Sequence, residues 1–230
     1  MLLEQGQKIV FAGDSVTDDG RKRPVGEGLW GGLGNGFVRL VDTFLTLDYP
    51  ELLLRCVNMG NAGDTSRDLL ARWDTDVAAL SPDWVVLCVG FNDVWRQFDS
   101  PCQPEYAVPP EEYRKNLAAM ADRTEAKTIF MTPYFLEPNG RDPMRRRMDE
   151  YGAIMKEEAA KRGALCVDLQ QSFAEILKYR YPAFITWDRV HPGWVGSMVI
   201  ARAFLRAVGA ERSVQPAAEN QEKNMERRIQ

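Results

Sequence analysis

Apolar residues along the chain fall into two alternating kinds of run. Lys8–Ala12 (KIVFA), Leu52–Asn58 (LLLRCVN), Trp84–Val89 (WVVLCV), Thr128–Thr132 (TIFMT) and Ala164–Val167 are short and almost continuously apolar. Runs of that kind predict strands of a parallel sheet covered on both faces. Between them, segments near Phe37–Leu47, Ser66–Leu80, Pro110–Glu125, Asp142–Arg162, Leu169–Tyr179 and Gly193–Val208 mix apolar and charged positions and predict helices. In Asp142–Arg162, for example, Met148, Tyr151, Ile154 and Met155 recur at helical spacing. Strands and helices alternating at these lengths build right-handed βαβ units, and so an α/β/α sandwich of three layers in one domain.

Two long connections break the rhythm. Asp18–Gly36 follows the first strand and holds seven glycines, and Asn92–Pro110 follows the third and holds four prolines. Long connections in a compact domain are usually functional or disordered, and loops leaving the strand carboxyl ends form the binding crevice of an open parallel sheet. Residues 1–212 thus read as the folded domain. Residues 213–230 hold only Val214, Met225 and Ile229 as larger apolar side chains and read as a polar C-terminal tail.

Composition narrows the classes of function. With 33 acidic against 29 basic residues the net charge is -4, a poor match for a nucleic-acid partner, which selects a basic face. The longest apolar stretch, Trp84–Phe91, is far short of the roughly twenty residues of a membrane span. Met1–Lys8 lacks the apolar core of a signal peptide, so a cytoplasmic location is expected. Cys56, Cys88, Cys102 and Cys166 form no CxxC pair, and Cys56 and Cys88 lie in apolar runs, as buried thiols of a reducing compartment do. With a single histidine the chain lacks the ligand set of a structural zinc site, and no metal or cofactor is expected.

Chemistry concentrates at the predicted strand ends. The first strand runs into Gly13-Asp14-Ser15, which stands a serine at the crevice mouth, where a nucleophile would sit. A serine after a strand is more often a helix cap or turn residue, and the tripeptide alone decides nothing. The one histidine lies in Trp187-Asp188-Arg189-Val190-His191-Pro192, just before the last predicted helix. A carboxylate three residues ahead of an imidazole can turn back to accept Nδ1–H and leave Nε2 as a base, although DxxH is also an ordinary surface turn. Asn58–Thr65 (NMGNAGDT) and Gly90-Phe91-Asn92-Asp93 supply glycine amides and an asparagine amide, which can donate to a developing oxyanion or merely shape turns.

Taken in order, these four signals resemble the SGNH, or GDSL-type, serine hydrolases: Ser15 in FAGDSVTD, Gly63 in NAGDTS, Asn92 in VGFND, and Asp188 with His191 in WDRVHP. RPVGEGLWGGLGNGF, FNDVWRQ, DPMRRRMDEYG and WDRVHP are similar, more narrowly, to the bacterial intracellular acetylxylan esterases of that superfamily. The resemblance implies a flavodoxin-like domain whose five-stranded parallel sheet has the order 2-1-3-4-5. It also implies a Ser15–His191–Asp188 triad, an oxyanion hole from the Ser15 and Gly63 amides with the Asn92 side chain, and no cofactor. The implied substrate is a small acetylated saccharide, and a homo-oligomer is left open. Asp14, Trp30, Trp95 and Trp187 are the candidate substrate-binding residues, since flat indoles in site loops suit a pyranose, although tryptophans are as readily core residues.

Two other motifs are set aside. Gly26–Gly31 fits GxGxxG but follows no strand, and Arg145-Arg146-Arg147 sits among acids on a predicted helix, as a solvated or ion-paired face would. Two rival functions remain: a lysophospholipase or thioesterase built on the same triad, and a sugar-binding module that keeps the scaffold without catalysis.

Overall fold

The computed structural model describes residues 1–211, so the tail expected over 213–230 lies outside the described residues. Five strands, β1 (Lys8–Gly13), β2 (Arg55–Gly60), β3 (Trp84–Cys88), β4 (Lys127–Met131) and β5 (Leu165–Val167), form one sheet in the order β2-β1-β3-β4-β5. Every pairing is parallel, with Phe11 opposite Asn58 on one side and Val86 on the other. The sheet order expected from the resemblance is the order observed.

Nine α-helices run through the described residues: α1 (Ser15–Asp18), α2 (Phe37–Asp48), α3 (Ser66–Ala71), α4 (Trp73–Asp76), α5 (Phe91–Asp99), α6 (Pro110–Asp122), α7 (Pro143–Lys161), α8 (Leu169–Leu177) and α9 (Trp194–Ala207). Helices α2, α8 and α9 pack together on one face of the sheet, and α3, α5, α6 and α7 pack together on the other. Phe11 of β1 meets Phe37 of α2 edge-on at 5.8 Å and Phe204 of α9 at 5.4 Å, so the central strand keys both helices at once. Each such buried ring contributes about 1.5–3 kcal/mol of transfer free energy.

Three boundaries differ from the sequence pattern. The second strand begins at Arg55 because Pro50–Leu52 folds as a 3-10 turn and Leu53, at φ 47°, is left-handed. The helix expected over Ser66–Leu80 breaks at Arg72 into α3, α4 and a 3-10 turn. There the Arg72 side chain reaches back to the strand ends rather than out to solvent. The long connection expected over Asn92–Pro110 starts as helix α5. Phe91, Val94, Trp95 and Phe98 form an i, i+3, i+4, i+7 stripe, which the prolines that follow had obscured.

In this topology β1 is flanked by β2, reached by one crossover, and β3, reached by the opposite one. The connections after these three strands therefore diverge, and the gap between them is the crevice of a doubly wound sheet.

Candidate active site

The site grows from the end of β1. A Cβ on Gly13 would lie 2.1 Å from the Cys88 carbonyl oxygen, so only glycine lets β1 end this close to β3. Asp14 then caps α1, its Oδ1 accepting from the Val16 amide at 3.1 Å. Ser15 is the first residue of α1, and its amide has no helical carbonyl to bond.

Across the crevice, residues 186–193 curl into a hairpin-like turn before α9. Arg189 takes a left-handed φ of 71°, which folds the DxxH segment back on itself. Both Asp188 oxygens are used: Oδ1 accepts from the Val190 and His191 amides at 3.0 and 2.8 Å, and Oδ2 faces His191 Nδ1 at 2.6 Å. A carboxylate accepts only, so Nδ1 carries the proton and Nε2 presents its lone pair. Nε2 lies 2.7 Å from Ser15 Oγ. The turn is held from behind by Tyr134, whose hydroxyl donates to the Val190 carbonyl at 2.6 Å, and by the Leu136 amide donating to the Arg189 carbonyl at 2.9 Å.

After β2, Gly63 has φ 90°, is exposed, and nothing lies within 4 Å of where its Cβ would stand. After β3, Gly90 at φ 125° caps α5, and Asn92 is the second residue of that helix. Asn92 Nδ2 donates to the Asp64 carbonyl at 3.0 Å, which uses one of its two hydrogens and ties the two loops together. The three stretches that carried the sequence signal thus meet at one crevice with His191.

The four proposed substrate-facing residues part company. Asp14 is fully buried behind Ser15, so its expected contact with substrate is corrected: the side chain belongs to the helix cap. Burial pushes its carboxyl well above the usual range, and the nearby Asp93 and Asp64 add to that. Trp187 stacks on the His191 ring at 6.0 Å and 11°, and Trp95 leans on it at 5.7 Å and 45°. Trp30 stands 88% exposed at φ 60° in the connection after β1, and among the described residues no ring contact joins it to His191.

Arg72 escapes the sequence pattern altogether, and Asp93 is buried rather than turned to the crevice. The Arg72 guanidinium bonds Asp64 Oδ2 at 2.6 Å, the Met59 carbonyl at 2.9 Å and the Gly13 carbonyl at 3.1 Å, clamping the ends of β1 and β2 to the Gly63 loop. In sequence it is one arginine on an amphipathic helix, and no local pattern marks it. Asp93 is buried and accepts from the Ser66 amide at 2.9 Å and from the Ser66 hydroxyl, while Asn116 Nδ2 donates to that hydroxyl at 3.0 Å. Burial pushes the Asp93 carboxyl up to about 7. Its place beside Asn92 was the available signal. Among the described residues no group of three His, Cys, Asp or Glu side chains stands where it could hold a metal ion, and no helix is long and apolar enough to cross a membrane.

Known proteins carry the same arrangement of elements. The sequence pattern of the GDSL-like lipase/acylhydrolase family matches residues 11–198. An acetylxylan esterase of Geobacillus stearothermophilus is 49% identical over 214 residues, which span 92% of this chain and 98% of that enzyme. Its crystal structure superposes with a TM-score of 0.90, covering 93% of this chain and all 100% of that one. Catalytic mutants of that esterase with a serine, a histidine or an aspartate replaced by alanine match equally well. An alpha/beta hydrolase enzyme from the metagenome of Lake Arreo, Spain, is 47% identical with a TM-score of 0.89, again over 93% of this chain and 100% of the other. With a serine–histidine–aspartate hydrogen-bond chain at the carboxyl ends of a 2-1-3-4-5 sheet and relatives of this likeness, the chain belongs to the GDSL-like lipase/acylhydrolase family.

Proposed function

We propose that this chain is a cytoplasmic serine esterase that removes acetyl groups from xylo-oligosaccharides. The observation that carries it is the unbroken relay from Ser15 Oγ to His191 Nε2 at 2.7 Å and from His191 Nδ1 to Asp188 Oδ2 at 2.6 Å. The substrate class rests on the acetylxylan esterase at 49% identity and on the indoles of Trp95 and Trp187 flanking His191. Buried thiols at Cys56 and Cys88 suit a reducing compartment.

In this reading Ser15 Oγ attacks the ester carbonyl carbon while His191 Nε2 takes the hydroxyl proton. The carbonyl oxygen becomes an oxyanion held by the Ser15 and Gly63 amides and the free hydrogen of the Asn92 amide. As the tetrahedral adduct collapses, His191 returns the proton to the departing sugar hydroxyl and leaves acetyl-Ser15. Water, deprotonated by the same imidazole, then releases acetate and restores the serine. Asp188 keeps the proton on Nδ1 throughout and stabilises the imidazolium at each transfer.

Purified protein should release acetate from acetylated xylo-oligosaccharides, and a fluorophosphonate should label Ser15. Each acyl methylene sheathed by an aliphatic groove contributes about 0.8 kcal/mol, so a lipid esterase gains kcat/KM with chain length. Here kcat/KM should fall from acetate to octanoate. A rise instead would move the function to a lysophospholipase or thioesterase, and absence of labelling would leave a sugar-binding module. Self-association is a matter for light scattering, with the exposed aromatics Tyr179, Tyr181, Phe184 and Trp194 as candidate contacts.

A further inference from the structure

A second feature next to the crevice lies between the end of α5 and the start of α7. A cleft of about 690 Å³ opens there, lined by Phe98, Pro143, Arg146, Arg147 and Glu150. Both of its walls lead to His191. On the α5 wall, Trp95 leans on the imidazole and Phe98 follows one turn later, roughly 4.5 Å along the axis. That rise is comparable with one sugar unit. On the α7 wall, Arg145 donates to the Glu137 carbonyl at 2.7 Å, and the Glu137 carboxylate pairs at 2.7 Å with Arg189, inside the Asp188–His191 turn.

The three consecutive arginines at the start of α7 are not equivalent. Arg145 is spent on Asp149 and on Glu137, and Arg147 is spent on Glu150 at 2.7 Å. Arg146 is exposed, faces the cleft, and among the described residues its guanidinium has no acceptor. The lining therefore has two cations against one carboxylate, with one cation uncommitted. Phe98, 40% exposed, lines the cleft with Pro143, and an aromatic ring is a surface on which a pyranose can stack. A planar guanidinium next to such a face is suited to a carboxylate borne by the sugar, which it can grip through two parallel N–H donors.

We propose that this cleft is a distal subsite for a uronic acid residue of the oligosaccharide, with Phe98 supporting its ring and Arg146 binding its carboxylate. The proposal rests on the saccharide-esterase reading of the adjoining crevice. It makes the enzyme one that works best on acetyl groups close to an acidic branch, because the distal contact steadies the chain while its ester lies at Ser15.

The test uses ligands without any ester, so it does not depend on turnover. Calorimetric titration of the whole protein compares a deacetylated xylo-oligosaccharide carrying one uronic acid branch with a neutral one of equal length. The acidic ligand should bind about three- to fivefold more tightly at low salt, the range of a partly exposed ion pair, and lose that margin at high ionic strength. Arg146→Glu should erase the preference or reverse it, Arg146→Lys should keep most of it, and Phe98→Ala should weaken both ligands alike. Equal affinity of the wild type for the two ligands, a preference that survives Arg146→Glu, or no saturable binding of either ligand would each overturn the subsite. The saccharide-esterase reading is judged separately, by acetate release from the neutral acetylated oligosaccharide.

Discussion

Two buried carboxylates show how differently the molecule treats charge in its two halves. Asp93, next to the crevice, is buried with hydroxyl and amide donors only, and burial lifts its carboxyl to about 7. Glu158, on α7 away from the crevice, is equally hidden at 3% exposure. Burial works against its charge too, but hydrogen bonds from Lys161 at 2.6 Å, Arg162 at 2.7 Å and Arg114 at 3.1 Å outweigh that and hold it down to about 2. Asp14, directly behind Ser15, follows Asp93: it is fully buried, its carboxyl is raised, and its Oδ2 has no partner among the described residues. The carboxyls at the crevice floor thus favour the protonated form, whereas Glu158 is held charged by three cations. Carboxyls with shifted proton affinity beside a crevice are common where groups are positioned for chemistry.

The largest break in this comparison should come from the relay. Ser15→Ala or His191→Ala is expected to cut kcat by at least about 10³-fold while the melting temperature stays within a few degrees of the wild type, read by stopped-time acetate release and calorimetry. A variant with near-normal turnover would remove the triad from the site. Next comes Asn92→Ala, which should lower kcat by about 10²–10³ with little change in KM, the signature of a donor used in the transition state. A raised KM at constant kcat would make Asn92 a residue that holds the ground-state substrate.

On the other side of the comparison, Glu158→Ala should cost roughly 1–3 kcal/mol of stability and leave kcat unchanged. Three cations would be left facing one another, although all three are partly solvated. Because the folded Glu158 carboxyl is lowered to about 2, its contribution is complete above its unfolded value of about 4.5 and is lost as pH falls toward 2. Urea titrations of wild type and Glu158→Gln should therefore converge on acidification.

The last effect is a slope, and it has the opposite sign. Asp93 holds its proton to about 7 in the fold but only to about 3.9 when unfolded. The folded state binds more protons between those values, so this group's contribution is complete at the acid end and is lost as pH rises through that window, by less than about 1.4 kcal/mol per pH unit. Asp93→Asn should flatten the pH dependence between about 4 and 7; an unchanged slope would show that Asp93 is charged in the fold despite its burial.

How far the sequence could be read differs from one part of the chain to the next. Apolar runs such as WVVLCV announced buried parallel strands, and GDS, NAGD, GFND and DRVH announced their places at the crevice. Helix α5 was legible in the stripe Phe91, Val94, Trp95, Phe98 but was lost beneath the prolines that follow it. Asp14 reads as a polar group next to Ser15, whereas the fold turns it inward as a cap.

What the sequence determined by itself was local and periodic: which segments are strands or helices, and which residue types stand at the strand ends. These follow from side-chain pattern and spacing, which need no knowledge of distant chain. Only the tertiary structure decided that Ser15 and His191, 176 positions apart, come within 2.7 Å, and that Arg72 clamps β1 and β2. It also decided that Arg146, alone among three neighbouring arginines, is left without an acceptor among the described residues. Such outcomes depend on which partner packing brings within a few ångströms, because hydrogen bonds and burial act over distances far shorter than the chain's own length.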